Sequence, residues 1–398
     1  MRVKIGSRSF DVMELIWQFY FIMIMGLSVA IPHIQMIGIV SLVAATVAYV
    51  IKGKKYYLSG KLWGFVCWYC IFIGYVWLSK RWAIFDYDSG TLGVCRRIII
   101  DIICMAIYVD SFEKAEKMMK KYITAAIVTC ILFFLTSNPA QWGSEVVSTG
   151  ITGLHRNNLG VISSFSTVIL ILGSKRITSW KRLRCFLPVL IAAVFCCGSR
   201  TNMLVLAMAL ALTVLLEKNV TKKFKWIFAG VLGIIVLGII LSSVSISDEF
   251  FGKYLNRILA IFDSSYQDSS MDYRDMLKLT AYQLILRSPI IGNGYDSTAA
   301  YNASLGLAQI SAHSNYFELM ACYGIVGTVL YYIMYVRILW KGFWNRETNY
   351  GWRIAFICFL ILTITEYQTY HQFDFIGIFL YICVYGMAVY WPNRSEIL

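Results

Sequence analysis

Ser288-Pro289-Ile290-Ile291-Gly292-Asn293-Gly294, then Ala312-His313-Ser314-Asn315-Tyr316-Phe317-Glu318-Leu319, then Tyr323-Gly324-Ile325-Val326-Gly327: these pieces close one stretch, residues 245–327, that begins as a long polar insertion in an otherwise apolar chain. On either side, apolar runs recur near 13–31, 34–51, 62–79, 92–109, 122–136, 158–173, 185–198, 201–216, 226–243, 316–336, 354–370 and 373–391. Most have the length a helix needs to cross a bilayer; 122–136 and 185–198 are short for it. With 59% hydrophobic and 15% charged residues, the composition excludes a set of aqueous cores. The expected fold is all-α: one polytopic membrane domain over residues 1–398, with about 12 transmembrane helices. The first run lacks a small-residue cleavage site, so it is expected to be a retained helix.

A net charge of +14 invites a nucleic-acid partner. The basic residues instead sit in short clusters between apolar runs, which is how loops orient a membrane protein. With the N-terminus inside, the inner segments hold Lys52, Lys54, Lys55 and Lys61, then Lys114 to Lys121, then Arg176 to Arg184, then Lys218 to Lys225. The short outer connections hold only Lys80, Arg81, Arg156 and Arg200. This puts residues 245–312 outside, as one large extracytoplasmic loop. Within it, residues 250–262 have the spacing of an interfacial amphipathic helix. Residues 272–287 read as a second helix, stopped by Pro289 and the glycines. The chain has 11 cysteines, nearly all inside apolar runs, and no disulfide framework is expected. Cys67-x-x-Cys70, inside a spanning run, reads as small apolar filler.

Ionisable residues in spanning helices are costly, so their positions point to function. Arg97 and Asp101 are four apart on one helix, as a structural or a functional pair. Arg200, in Ser199-Arg200-Thr201, breaks two apolar runs almost without a loop. An arginine there needs a cavity or an anion, and its planar fork suits phosphate. Glu318 lies one turn inside its helix. Glu366, His371 and Asp374 fall at the last outer hairpin and read as interfacial anchors or paired charges. His33, His155 and His313 also come out on the outer side. No metal is expected, because no pair of histidines has ligand spacing. Gly292-Asn293-Gly294 is either a phosphate-binding nest or a tight turn.

Four separated pieces resemble the O-antigen ligase and polymerase superfamily of bacterial surface polysaccharide assembly. They are Gly153-Leu154-His155-Arg156-Asn157-Asn158-Leu159-Gly160; Ser199-Arg200-Thr201; Tyr273-Arg274 with Pro289 to Gly294; and His313-Ser314-Asn315-Tyr316 with Tyr323 to Gly327. Their order and spacing match over a core at residues 153–327. The resemblance implies a C-type glycosyltransferase in the cytoplasmic (inner) membrane, with its active site on the extracytoplasmic side. It implies a substrate of undecaprenyl-pyrophosphate-linked oligosaccharide, no metal and no other cofactor. A flippase and a chain-length regulator of the same pathway are the implied protein partners. Some polymerases of the superfamily show an arginine followed eleven residues later by glycine in two outer loops. Neither Arg274 nor Arg287 has that glycine, so a paired-loop mechanism does not carry over.

The chemistry fits the resemblance. Without a metal, fixed cations must meet the charge that develops on a departing pyrophosphate. Arg200 and Arg274 are the first candidates, and Arg156 and Arg97 the further ones. His313 can take the acceptor's proton or donate to the pyrophosphate. Asn158, Asn315, Tyr316 and Glu318 are the expected substrate-binding residues, and Gly324 and Gly327 allow close helix packing. A polymerase that joins repeat units is the first reading, and a ligase that attaches finished glycan to an acceptor is the second. A flippase or transporter would call for midplane charges, broken helices and inverted repeats, none of which the sequence announces. A non-catalytic scaffold would leave Arg200 unexplained.

Overall fold

The computed structural model describes residues 2–5, 8–27, 33–53, 60–85, 87–142, 149–173, 176–217, 219–221, 223–224, 228, 230, 269–369 and 373–392. The expected helix at 250–262 and His371 lie outside these residues. The described chain is helical apart from one antiparallel hairpin, β1 (Arg2–Ile5) with β2 (Arg8–Asp11), in the register Val3 to Phe10 and Lys4 to Ser9. The helices are α1 (Val12–Gly26), α2 (Ile34–Gly53), α3 (Trp63–Ser79), α4 (Thr91–Tyr108), α5 (Phe112–Thr136), α6 (Arg156–Gly173), α7 (Leu187–Cys196) and α8 (Arg200–Leu215). They continue as α9 (Ser269–Arg287), α10 (Ser297–Ser304), α11 (Asn315–Asn345), α12 (Tyr350–Thr365) and α13 (Phe375–Tyr390).

Among the described residues three helices are long and apolar enough to cross a membrane: Ile34–Lys52, Phe112–Thr136 and Asn315–Asn345. α1, α8, α12 and α13 are apolar but shorter. The short run at 122–136 proves to be the second half of a 25-residue helix, α5. The short run at 185–198 holds only the ten residues of α7, entered through a 3-10 turn at Thr178–Phe186 and Pro188. α2 is the most apolar of the three. Its mean hydropathy is 2.2, yet Met36, Ile37, Val40, Val47 and Ile51 are left exposed along it. In water such a face would be an aggregation site; against acyl chains it is satisfied.

Two compact units divide the chain. The first comprises residues 1–23, 33–122 and 269–398, and the second residues 24–32 and 123–268. In the first unit an aromatic core joins Trp17 and Phe21 of α1 to Phe379 of α13, with ring centroids 5.3 Å apart for Phe21 and Phe379. A second cluster sets Phe72 of α3 against Tyr331 of α11 at 5.1 Å, and Trp68 Nε1 donates to Leu330 O at 2.8 Å. Asn349 and Asp374 cap α12 and α13 by accepting from backbone N–H groups two or three residues on, the usual N-cap chemistry. In the second unit α6 is buried on every side from Leu159 to Leu170. Its serines and threonines bond back to their own helix, Ser163 Oγ to Leu159 O at 2.7 Å and Thr167 Oγ1 to Ser163 O at 2.8 Å.

The segment expected as an outer loop is structured where it is described. α9 ends at Arg287, as the Pro289 stop signal requires, and α10 was not legible. α11 is the larger surprise: it is broken at Gly324, whose φ of 61° and ψ of −166° are far from helical. The sequence reading found no broken helix, and on this point it is corrected. Gly324 serves the break rather than helix packing, because only glycine takes that backbone conformation at no cost.

Candidate functional site

The break in α11 is filled by the glycine turn. A broken helix leaves carbonyls and N–H groups without intrahelical partners. Ala321 O accepts from Asn293 N at 3.0 Å and from Asn293 Nδ2 at 2.8 Å, and Cys322 O accepts from Gly294 N at 2.8 Å. On the far side, Ile325 N donates to Pro289 O at 2.9 Å and Val326 N to Ile290 O at 3.1 Å. Tyr75 of α3 clamps the joint, donating to Ile291 O at 3.2 Å and lying 3.3 Å from Tyr323 O. The backbones are so close that a Cβ on Gly292 would lie 2.3 Å from Cys322 O, and one on Gly324 2.3 Å from Ile290 O. The nest reading of Gly292-Asn293-Gly294 is therefore corrected. The N–H groups of Asn293 and Gly294 are spent on α11, and that of Gly292 on Ser288 O at 3.1 Å.

This joint carries the His313 segment. Ala281, Leu284, Ala312 and Ala321 pack as one small core between α9, the start of α11 and the chain before it. Glu318 is buried and fully occupied. Its Oε1 accepts from Thr298 Oγ1 of α10 at 2.6 Å and from Cys322 Sγ at 3.4 Å, and its Oε2 from Ala312 N at 2.9 Å. Asn302 of α10 binds Thr280 of α9 at 2.6 Å and Ile310 O at 2.8 Å. His313 itself takes a left-handed backbone, φ 51°, uncommon outside glycine, and is partly exposed. Strain of this kind collects at functional positions.

Behind His313, Asn315 is wholly buried. Its backbone N–H lies 2.9 Å from both Glu366 O and Thr369 O, and its Nδ2 is 3.4 Å from Tyr332 Oη. Tyr316 stacks on Tyr332, centroids 5.1 Å apart, and donates to Thr363 O at 2.5 Å. Of the two readings of Glu366, interfacial anchor or paired charge, the anchor fails, because the residue has no exposed surface. Tyr335 donates to its Oε1 at 2.7 Å, Tyr331 to the same oxygen at 3.3 Å, and Tyr332 to Oε2 at 2.6 Å. A buried carboxylate in an apolar helix must find donors. The triplet Tyr331-Tyr332-x-x-Tyr335 opposite the lone glutamate was the available signal, and it was missed.

Arg97 donates to Gln35 Oε1 of α2 at 2.6 Å and does not close an ion pair with Asp101, which is fully buried. Arg274 lies on α9, one residue after Tyr273, whose hydroxyl accepts from Ala308 N at 3.0 Å. Arg97, Arg274, His313, Asn315, Tyr316 and Glu318 all belong to the first unit.

Arg156, Asn158 and Arg200 belong to the second unit, where the geometry is informative. Arg156 is the first residue of α6 and Arg200 the first of α8. Asn202, a buried polar residue that the sequence reading passed over, fastens the two helix starts together. Its Nδ2 donates to Ser199 Oγ at 2.7 Å and to Asn157 O at 3.3 Å, while its Oδ1 accepts from Ser164 Oγ at 3.3 Å. Gly160 allows the approach, since a Cβ there would fall 2.3 Å from Asn202 Nδ2. His155 caps α6, with its Nδ1 3.3 Å from Asn157 N. Two helix N-termini, each opened by an arginine, thus stand side by side. Both the helix dipoles and the guanidinium groups favour an anion there. Among the described residues no three His, Cys, Asp or Glu side chains converge to hold a metal ion, and all 11 cysteines are free thiols.

Residues 185–332 match the family model described as O-Antigen ligase, which supports the resemblance to the O-antigen ligase and polymerase superfamily over that part of the chain. The match takes in α8 with Arg200, α9 with Arg274, the turn, and the His313 segment through Tyr332. No curated protein matches the chain. The three helices long and apolar enough to cross a membrane, together with this match, point to a multi-pass membrane protein.

Proposed function

We propose that the chain is a polysaccharide polymerase that joins undecaprenyl-pyrophosphate-linked repeat units on the outer face of the bacterial cytoplasmic membrane. The observation that carries this reading is the pair of arginine-headed helix starts, Arg156 and Arg200, fastened by Asn202. A pyrophosphate leaving group needs such preorganised positive charge. In the proposed reaction a sugar hydroxyl of the acceptor attacks C1 of the donor glycan. The bond from C1 to the pyrophosphate oxygen breaks, and undecaprenyl pyrophosphate leaves with the electron pair. His313 takes the hydroxyl proton. Arg200 and Arg274 are the first candidates to meet the charge of the leaving group, and Arg156 and Arg97 the further ones. Asn158, Asn315 and Tyr316 hold the sugars. Glu318, tied to Thr298 and Ala312, holds the His313 segment in place rather than touching substrate.

The second reading is a ligase, favoured by the description of the matching family. Products separate the two. Deletion of a polymerase leaves single repeat units and no ladder of longer chains. Deletion of a ligase leaves full-length polymer on the lipid carrier, and that outcome overturns the first reading. Arg200→Ala, Arg274→Ala and His313→Ala should each abolish polymer in protein that is still inserted, since losing one preorganised charge contact costs about a hundredfold or more in rate. Arg200→Lys should fail as well if the contact is a bidentate fork. Near-normal polymer in two of the three alanine variants would sink the assignment.

A further inference from the structure

α9 was expected to lie in an aqueous loop, yet its outward face is apolar. Leu279 is 59% exposed, Tyr282 49%, Leu286 65% and Ile290, in the turn that follows, 64%. Steps of three and four residues put them on one stripe. The opposite face, Leu277, Ala281 and Leu284, is buried. The exposed side is graded along its length, with Asp272 and Asp275 at the start and apolar residues from Met276 onward. Gln283 and Arg287 flank the stripe. Gln283 accepts from Tyr301 Oη at 2.9 Å, and an arginine at such a border can snorkel to the headgroups.

The stripe ends where a lipid-facing one begins. Ile290 O accepts from Val326 N, so the turn abuts α11 at the break. From there Ile325, Val329, Ile333 and Val336 run exposed down a helix long and apolar enough to cross the membrane. A contiguous apolar surface of this size marks contact with a membrane or another protein. Its continuity with the outward face of a spanning helix selects the membrane.

We propose that the segment from Met276 to Ile291 is a re-entrant element whose outward stripe lies among the acyl chains of the bilayer. The first turns, with Asp272 and Asp275, stay at headgroup level. The turn at 289–294 then lies at the level of the break in α11, where the backbone groups of turn and helix pair with each other.

The test is nitroxide accessibility in lipid nanodiscs of the full chain. Labels go on Leu279→Cys, Leu286→Cys and Ile290→Cys, with Asp272→Cys as the water reference. The exposed native thiols Cys67 and Cys185 are changed to serine, and the unsubstituted background is subtracted. The expected result is strong collision with dioxygen and loss of collision with a water-soluble nickel chelate at the three apolar positions, and the reverse at residue 272. Nickel access at residues 279 and 286 equal to that at 272 would show an aqueous face. Exclusion of both reagents would show cover by protein, such as a second copy. Either outcome overturns the proposal. Should one variant fail to fold, the other two decide, each checked for monodisperse elution.

Discussion

Glu366 accepts three tyrosyl O–H groups without any exposed surface, so removing its side chain takes the acceptor from three hydroxyls at once, those of Tyr331 and Tyr335 on fully buried residues. Glu366→Ala should cost roughly 3 kcal/mol or more of stability, seen as a lowered Tm in detergent. Glu366→Gln should lose less, because its carbonyl oxygen still accepts while its amide cannot. Asp296 offers a pH test at the same scale. It lies outside the spanning segments with φ 55°, accepts from Ser89 N at 2.8 Å, and burial raises its carboxyl above the usual range. A raised folded-state pKa gives stability that is full below the unfolded carboxylate range and is lost as pH rises through the folded value. Nearby Asp88 shifts the other way, lowered by Lys80 and by the Gly90 N–H, but that ion pair is largely exposed and contributes little. Asp296→Asn, which tolerates the left-handed backbone, should therefore raise Tm at neutral pH and leave it nearly unchanged in mild acid. The sequence made Arg200 and His313 conspicuous, because a charge or an imidazole among apolar residues stands out. Asn202 reaches back to Asn157 and Thr298 forward to Glu318, and no local pattern carries that information.

At the scale of elements, the decisive joint is a turn inserted into a helix break. Gly292→Ala and Gly324→Ala each drive a methyl group into backbone at 2.3 Å, at positive φ. Backbone cannot step aside as a side chain can, so each should cost roughly 3 kcal/mol or more and abolish activity together with thermal stability. Gly306→Ala is the control. It also has positive φ, 75°, but nothing lies within 4 Å, so only about 1–2 kcal/mol of backbone strain is expected. The helix at 269–287 was legible because Pro289 and the glycines punctuate its end. The break at Gly324 was not, because a glycine in an apolar run reads equally as a packing site. What distinguishes it is the turn some thirty residues earlier, whose donors match its acceptors.

For the molecule as a whole, apolar periodicity and the clusters of lysine and arginine made an all-helical, multi-pass chain readable. The hairpin at Arg2–Asp11 was not, since it carries no strong period; the run at 185–198 was readable as a short helix, but its 3-10 entry was not. Orientation yields a direct prediction. Ser304→Cys, exposed at the end of α10, should react with a membrane-impermeant thiol reagent in spheroplasts, whereas Thr221→Cys should react only after lysis. The reverse pattern would move the proposed site to the other side of the membrane. The joint at Gly324 also bears on synthesis. α9 and the turn precede α11 in the chain, so they leave the ribosome first. When the broken helix enters the bilayer, the groups that satisfy Ala321, Cys322, Ile325 and Val326 have already been made. A circular permutant that begins at Ser314 would reverse that order, delivering an unplugged break into lipid, and its yield of inserted protein should fall even though every native contact remains available.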